Sequence, residues 1–237
     1  MVYKTSSHTI CALASGAPPA GLAVIRISGP AAPDFAAAHL DRGLPEPHKA
    51  RLRKLYDQAD RLVDEALVLF MPKGASFTGE DVVELHLHGG AAIIEHALDV
   101  LTGFPGISMA GPGEFTRRAF EAGRFDLTQA EAIADLIEAE TRAQKDQALA
   151  QKSGDLADCY KAWRADLVSA LALLEASVDF PDEDDAPEHV TRPVLDILKQ
   201  LNASFDDALL TGTTQQSIRE GFRIALIGPP NAGKSSL

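Results

Sequence analysis

Cysteine is scarce in this chain: Cys11 and Cys159 are its only two, far apart in the sequence. That argues against a disulfide scaffold and fits a reducing compartment, and neither thiol is expected to be reactive. Long apolar runs are lacking as well. The run at 10–14 has neither the length nor the charged start of a signal peptide, and the longest later run, 66–71, is too short to cross a bilayer. The expectation is a soluble cytoplasmic protein with no membrane partner. Basic charge is also in short supply, with 22 Lys and Arg against 34 Asp and Glu and a net charge of −12. This argues against a general electrostatic grip on nucleic acid and leaves room only for a local or shared contact. What is present is an ordinary globular composition over 237 residues, enough for one large domain or two small ones with a well-buried core.

The most specific stretch is the last, FRIALIGPPNAGKSSL. An apolar strand at 222–227 leads into Gly228, four residues, then Gly233, Lys234 and Ser235, the spacing of a phosphate-binding loop that opens a helix. Successive backbone N–H groups of such a turn, with the positive end of the following helix, surround an anionic phosphate. Lysine adds a full charge, and the serine hydroxyl is free for Mg²⁺. The chain stops two residues after Ser235, before any second metal-holding carboxylate or water-positioning group that a nucleotide hydrolase needs. As a sequence it therefore predicts a truncated nucleotide domain, with poor nucleotide binding and no turnover by this chain alone.

Residues 1–123 read as a mixed α+β module. Strands are expected at 22–28, 51–56, 66–71 and 81–88, with helices over about 33–40 and 91–101. Strand geometry puts Leu22, Val24 and Arg26 on one face of the first strand, so a cation interrupts an apolar face. In EDVVELHLHGG, Glu84, His86 and His88 project from one face at i, i+2 and i+4. Two histidines and a carboxylate could bind zinc, but catalytic zinc draws ligands from more than one element, and a polar face on a half-buried strand is the simpler reading. Glu84 could also accept two parallel donors from a flat heterocycle.

The words SFTGEDVVELHLHGG, GPGEFTRRAFEAGRFDLTQAEA and GPPNAGKSSL occur in order along the chain, and together they resemble the tRNA modification GTPase family MnmE (TrmE). The resemblance implies an N-terminal folate-binding-like, dimerising domain, then a helical domain over about 124–214, then at 215–237 a linker and the start of an α/β GTPase domain. It implies a reduced folate, 5-formyl- or methylenetetrahydrofolate, held by Arg26, Glu84 and Arg124. It also implies GTP at Asn231, Ala232, Gly233, Lys234, Ser235 and Ser236, with K⁺ on Asn231 and Mg²⁺ on Ser235. The implied activity is potassium-dependent GTP hydrolysis in modifying the wobble uridine of tRNA, with a flavin-dependent partner subunit and a folate-borne one-carbon unit. The family's essential cysteine lies near its C-terminus, so neither Cys11 nor Cys159 inherits that role, and no catalytic residue falls within this chain.

Helical periodicity after Gly123 supports this architecture independently. A capping box of Thr128 and Glu131 is expected to start one long helix over 129–151. A second carries Leu156, Tyr160, Trp163, Leu167, Leu171, Leu174 and Val178 as one apolar stripe, read as core. A third is expected over about 192–210, with Gly212 marking a flexible break at 211–214. The acidic segment 179–189 between the last two lacks the regular ligand pattern of a cation-binding loop and reads as solvated. Two other classes stand beside the GTPase reading. A folate-binding or one-carbon transfer module explains Arg26 and Glu84 but not the phosphate loop, and a dimerisation scaffold explains the helices but neither of the other features.

Overall fold

The computed structural model describes residues 8–179, 186–220, 225, 227 and 228, and the chain divides into two compact units, Met1–Asp126 and Leu127–Leu237. The first unit is built on one six-stranded sheet. Its elements run β1 Thr9–Leu13, β2 Ala20–Ser28, α1 Ala32–His39, β3 Arg51–Tyr56, β4 Leu62–Met71, β5 Val82–Gly89, α2 Ala91–Thr102, β6 Ile107–Met109 and α3 Glu114–Glu121. The strand order is β3-β4-β5-β2-β1-β6, antiparallel throughout except for the parallel β1/β6 pair.

Alternation sorts the two faces of the sheet. Ala23, Ile25 and Ile27 of β2 and Leu85 and Leu87 of β5 are buried, and all but Ala23 belong to one core cluster with Phe35 and Ala36 of α1 and with Ala97, Val100 and Leu101 of α2. These helices are amphipathic for a simple reason: a two-layer domain needs only one apolar stripe per helix. The other face carries the intervening residues Val24, Arg26, Glu84 and His86, all partly exposed. No helix needs to cover that face for the core to be complete, which leaves the middle of the sheet open for polar chemistry.

The sequence reading misses β1, which is short, and begins β4 four residues late; the strand expected before GPGEF and the short helix after it are β6 and α3. A strand as short as β1 carries too little alternation to register; it is held by pairing with β2 on one side and β6 on the other.

The second unit is helical: α4 Leu127–Glu138, α5 Arg142–Ser153, α6 Asp155–Asp179 and α7 Ala186–Glu220. The single helix expected over 129–151 is two. Thr141 caps α5 by accepting from the Gln144 N–H, while the Gln144 side chain accepts from the Thr141 N–H, a reciprocal box that starts a new helix. The box expected at Thr128 is not a helix start, because α4 already begins at Leu127. The break expected at 211–214 is likewise absent, since α7 runs through it. A lone glycine costs a helix about 1 kcal/mol, too little to end one that is held elsewhere.

The apolar stripe of α6 is not wholly core. Trp163 donates to Ser204 Oγ at 2.8 Å and meets Phe205 edge-on at 4.7 Å, tying α6 to α7, yet Tyr160, Leu167, Leu171 and Leu174 are about half exposed. The acidic segment falls partly at 180–185, outside the described residues, and 186–189 belong to α7. No helix among the described residues is long and apolar enough to cross a membrane.

Candidate functional site

Arg26 and Glu84 come together at the centre of the open sheet face. They are register partners on β2 and β5, fifty-eight positions apart in sequence. Arg26 Nε and Nη2 each lie 2.8 Å from Glu84 Oε1. The Arg26 side chain is 28% exposed and that of Glu84 12%, so the pair is shielded but reachable. The second carboxylate oxygen, Oε2, stands 3.5 Å from His86 Nε2.

Two aromatic rings flank the guanidinium. Its carbon lies 5.8 Å from the ring centre of Phe77, in the turn after β4, and 5.7 Å from that of Phe115, on α3. Both distances are within cation–π range, which favours a planar cation held between planar apolar surfaces. Sequence reading did not single out either ring. Their words, SFTGE and GPGEF, were visible, but nothing local indicates that two segments almost forty residues apart converge on one arginine.

The turn carrying Phe77 is fixed by its own hydrogen bonds. Ser76 Oγ donates to the Glu80 carbonyl, Thr78 Oγ1 lies 2.8 Å from Ser28 Oγ, and Ser28 Oγ donates to Glu80 Oε2 at 2.6 Å. Gly79 closes the turn with φ +78, and a Cβ there would approach Arg124 Cδ to 3.3 Å. Gly113, at φ +70, reverses the chain into α3, where Glu114 Oε2 accepts from the Gly111 N–H at 2.8 Å. That amide hydrogen bond, opposed by burial and aided by Arg118, holds the Glu114 pKa below the ordinary carboxylate value.

Arg124 is attached to the same turn by a different contact. Its Nη1 donates to the Gly74 carbonyl at 2.9 Å, and the neighbouring Phe125 ring lies 5.5 Å from Phe77. Its guanidinium is exposed and does not pair with Glu84 among the described contacts.

The histidines do not assemble a metal centre. His88 Nδ1 lies 2.9 Å from Asp64 Oδ1, and the His88 N–H donates to Asp64 Oδ2 at 2.8 Å. Burial pushes the Asp64 pKa up, but these bonds outweigh it and leave it lowered. Among the described residues no group of three His, Cys, Asp or Glu is placed to hold a metal ion.

The phosphate-loop residues Asn231, Ala232, Gly233, Lys234, Ser235 and Ser236 lie outside the described residues, as does most of the apolar segment before them. Ala225, Ile227 and Gly228 are described and belong to no helix or strand.

Comparison with known proteins gives a consistent pattern. The family described as GTP-binding protein TrmE N-terminus matches residues 9–124, and that described as MnmE helical domain matches 127–229. A protein of Hyphomonas neptunium named tRNA modification GTPase MnmE is 52% identical over 97% of this chain and 52% of its own length. Proteins of the same name from Caulobacter vibrioides and Phenylobacterium zucineum are 52% and 47% identical over 98% of this chain and 51% of their own lengths. The chain thus spans about half the length of the curated relatives it matches.

Proposed function

The chain belongs to the tRNA modification GTPase family MnmE (TrmE), and from that premise we propose that its first unit binds a reduced folate at the Arg26–Glu84 face. The observation that carries the reading is the shielded carboxylate of Glu84, oriented on one oxygen by Arg26 and with His86 Nε2 3.5 Å from the other. The ring of a reduced pterin presents an N–H and an adjacent amino group as parallel donors, and a part-buried carboxylate is the complementary acceptor. The residues present fit that group: an acceptor in the middle of the sheet, a flat cation beside it, and two aromatic rings near that cation. Arg124, exposed and donating to the Gly74 carbonyl, is the cation that meets an anionic part of the ligand in this reading. When bound, the folate supplies a one-carbon unit; the chain's own residues bind and orient it.

The wider role is GTP-dependent modification of the wobble uridine of tRNA, in a cytoplasmic homodimer that assembles through the first unit and works with a flavin-dependent subunit. Lys234 and the amides of 231–236 hold the GTP phosphates in this reading, with Ser235 on Mg²⁺ and Asn231 on K⁺. The relatives' shared name, tRNA modification GTPase, supports it.

Calorimetric titration with 5-formyltetrahydrofolate tests the folate site. Glu84→Ala is expected to weaken binding by about 1–3 kcal/mol, the cost of leaving ligand donors without their acceptor. Unchanged affinity in that variant removes Glu84 from the site.

A further inference from the structure

Arg118 is the most buried arginine of the first unit's ion pairs, its side chain only 6% exposed. It lies one helical turn beyond Glu114 on α3 and makes bonds in three directions. Nη1 donates to the His8 carbonyl at 2.7 Å and faces both Glu80 oxygens at 3.3 Å, while Nη2 donates to Glu114 Oε1 at 3.0 Å. Glu80 in turn accepts from Ser28, two residues along β2 from Arg26.

These bonds join the pieces that surround Arg26. Glu80 ends the turn that carries Phe77, and Glu114 precedes Phe115 on α3. The guanidinium between Glu80 and Glu114 therefore spans the two elements whose rings flank Arg26. Among the described residues the cation–π contacts of Phe77 and Phe115 are with Arg26, not Arg118; the connection to Arg118 runs through the backbone segments that the two carboxylates anchor.

We infer that Arg118 is a positioning residue for the ligand site: by clamping the 76–80 turn to α3 it sets the spacing of Phe77 and Phe115 and so the orientation of Arg26 and Glu84. The inference rests on the folate reading given above. A buried arginine with two carboxylates stabilises a fold weakly compared with well-packed apolar residues of the same volume, but it fixes geometry, because its planar fork accepts partners only in set directions. Lysine keeps the charge and loses the fork. The clamp is lost in Arg118→Lys while a cation remains between the carboxylates.

The experiment is a double-mutant cycle read by calorimetry with 5-formyltetrahydrofolate on the full chain, with thermal melts as a check on folding. Arg118→Lys is expected to bind about tenfold more weakly than the parent chain. In a Phe77→Ala, Phe115→Ala background the same substitution is expected to change affinity by less than about twofold, since the walls it positions are gone. A general loosening of the unit lowers affinity in both backgrounds alike, and that additive result overturns the inference. Full affinity in Arg118→Lys overturns it too. If Arg118→Lys does not fold, Glu80→Gln carries the same cycle, because it keeps the side chain's shape and weakens the clamp at its other end. Absence of binding by the parent chain refutes the folate reading itself, and is thereby separable from failure of the clamp.

Discussion

Arg26 directs two nitrogens, Nε and Nη2, at one oxygen of Glu84, each at 2.8 Å, and leaves the other oxygen to His86 at 3.5 Å. A carboxylate held this way is costly to leave alone. Arg26→Met is expected to lower the unfolding free energy by about 1–3 kcal/mol, because a part-buried acceptor loses its donors. Adding Glu84→Gln to that variant removes the stranded charge and is expected to restore part of the loss. Urea denaturation of the parent, the single and the double variant measures this. A double variant less stable than Arg26→Met contradicts it.

Asp57, at the β3–β4 turn, gives the first unit an acid-sensitive point. The Arg61 amide is the main cause of its low pKa, opposed by burial and helped by the Ala59 amide and the Arg61 side chain, and together they bring it to about 2. An unfolded aspartate titrates near 3.9. The folded pKa is depressed, so the contribution to stability is full above about pH 4 and is lost as pH falls towards 2. Thermal melts across this range are expected to show a fall that is shallower in Asp57→Asn. Parallel curves for the two proteins would place the acid sensitivity elsewhere.

The two thiols are expected to differ in reactivity. Cys11 is fully buried on β1, and burial pushes its pKa up to about 11, whereas Cys159 on α6 is partly exposed. With an aromatic disulfide reagent at pH 8, the folded chain should release one equivalent of thiolate quickly and the second only on unfolding. Rapid release of two equivalents contradicts the burial of Cys11. The burial of Cys11 is the physical ground for its expected inertness.

Thr141→Ala removes the reciprocal cap that starts α5 and is expected to cost the second unit about 1 kcal/mol. Denaturation followed by the fluorescence of Trp163, the chain's only tryptophan, reports on that unit. No loss of stability would mean that packing, rather than the cap, divides α4 from α5.

Much of the first unit was legible because alternation is local. β2, β3 and β5 could be read from runs of six to nine residues, and the same alternation placed Arg26 and Glu84 on strand faces as charges in need of partners. Their pairing was not legible from periodicity. Register across fifty-eight positions depends on the whole sheet, and only family resemblance joined the two residues beforehand. Phe77, Phe115 and Arg118 were missed for the same reason: each matters through contacts made by segments distant in sequence. The helices of the second unit were recognisable by period, but their ends were not. The capping signal at Thr141 lies in a stretch with no glycine or proline to mark a break, while Gly212 lies inside a helix that runs through it.

The most direct test of the account is amide hydrogen exchange of the whole chain with and without saturating 5-formyltetrahydrofolate. Ligand at the Arg26–Glu84 face should slow exchange in peptides covering 74–88 and 111–125, the segments that carry Glu84, both aromatic walls and Arg124, with little change in α6 and α7. Saturating ligand that leaves those peptides unaltered, or protection confined to 127–220, would contradict the assignment of this sheet face as the site.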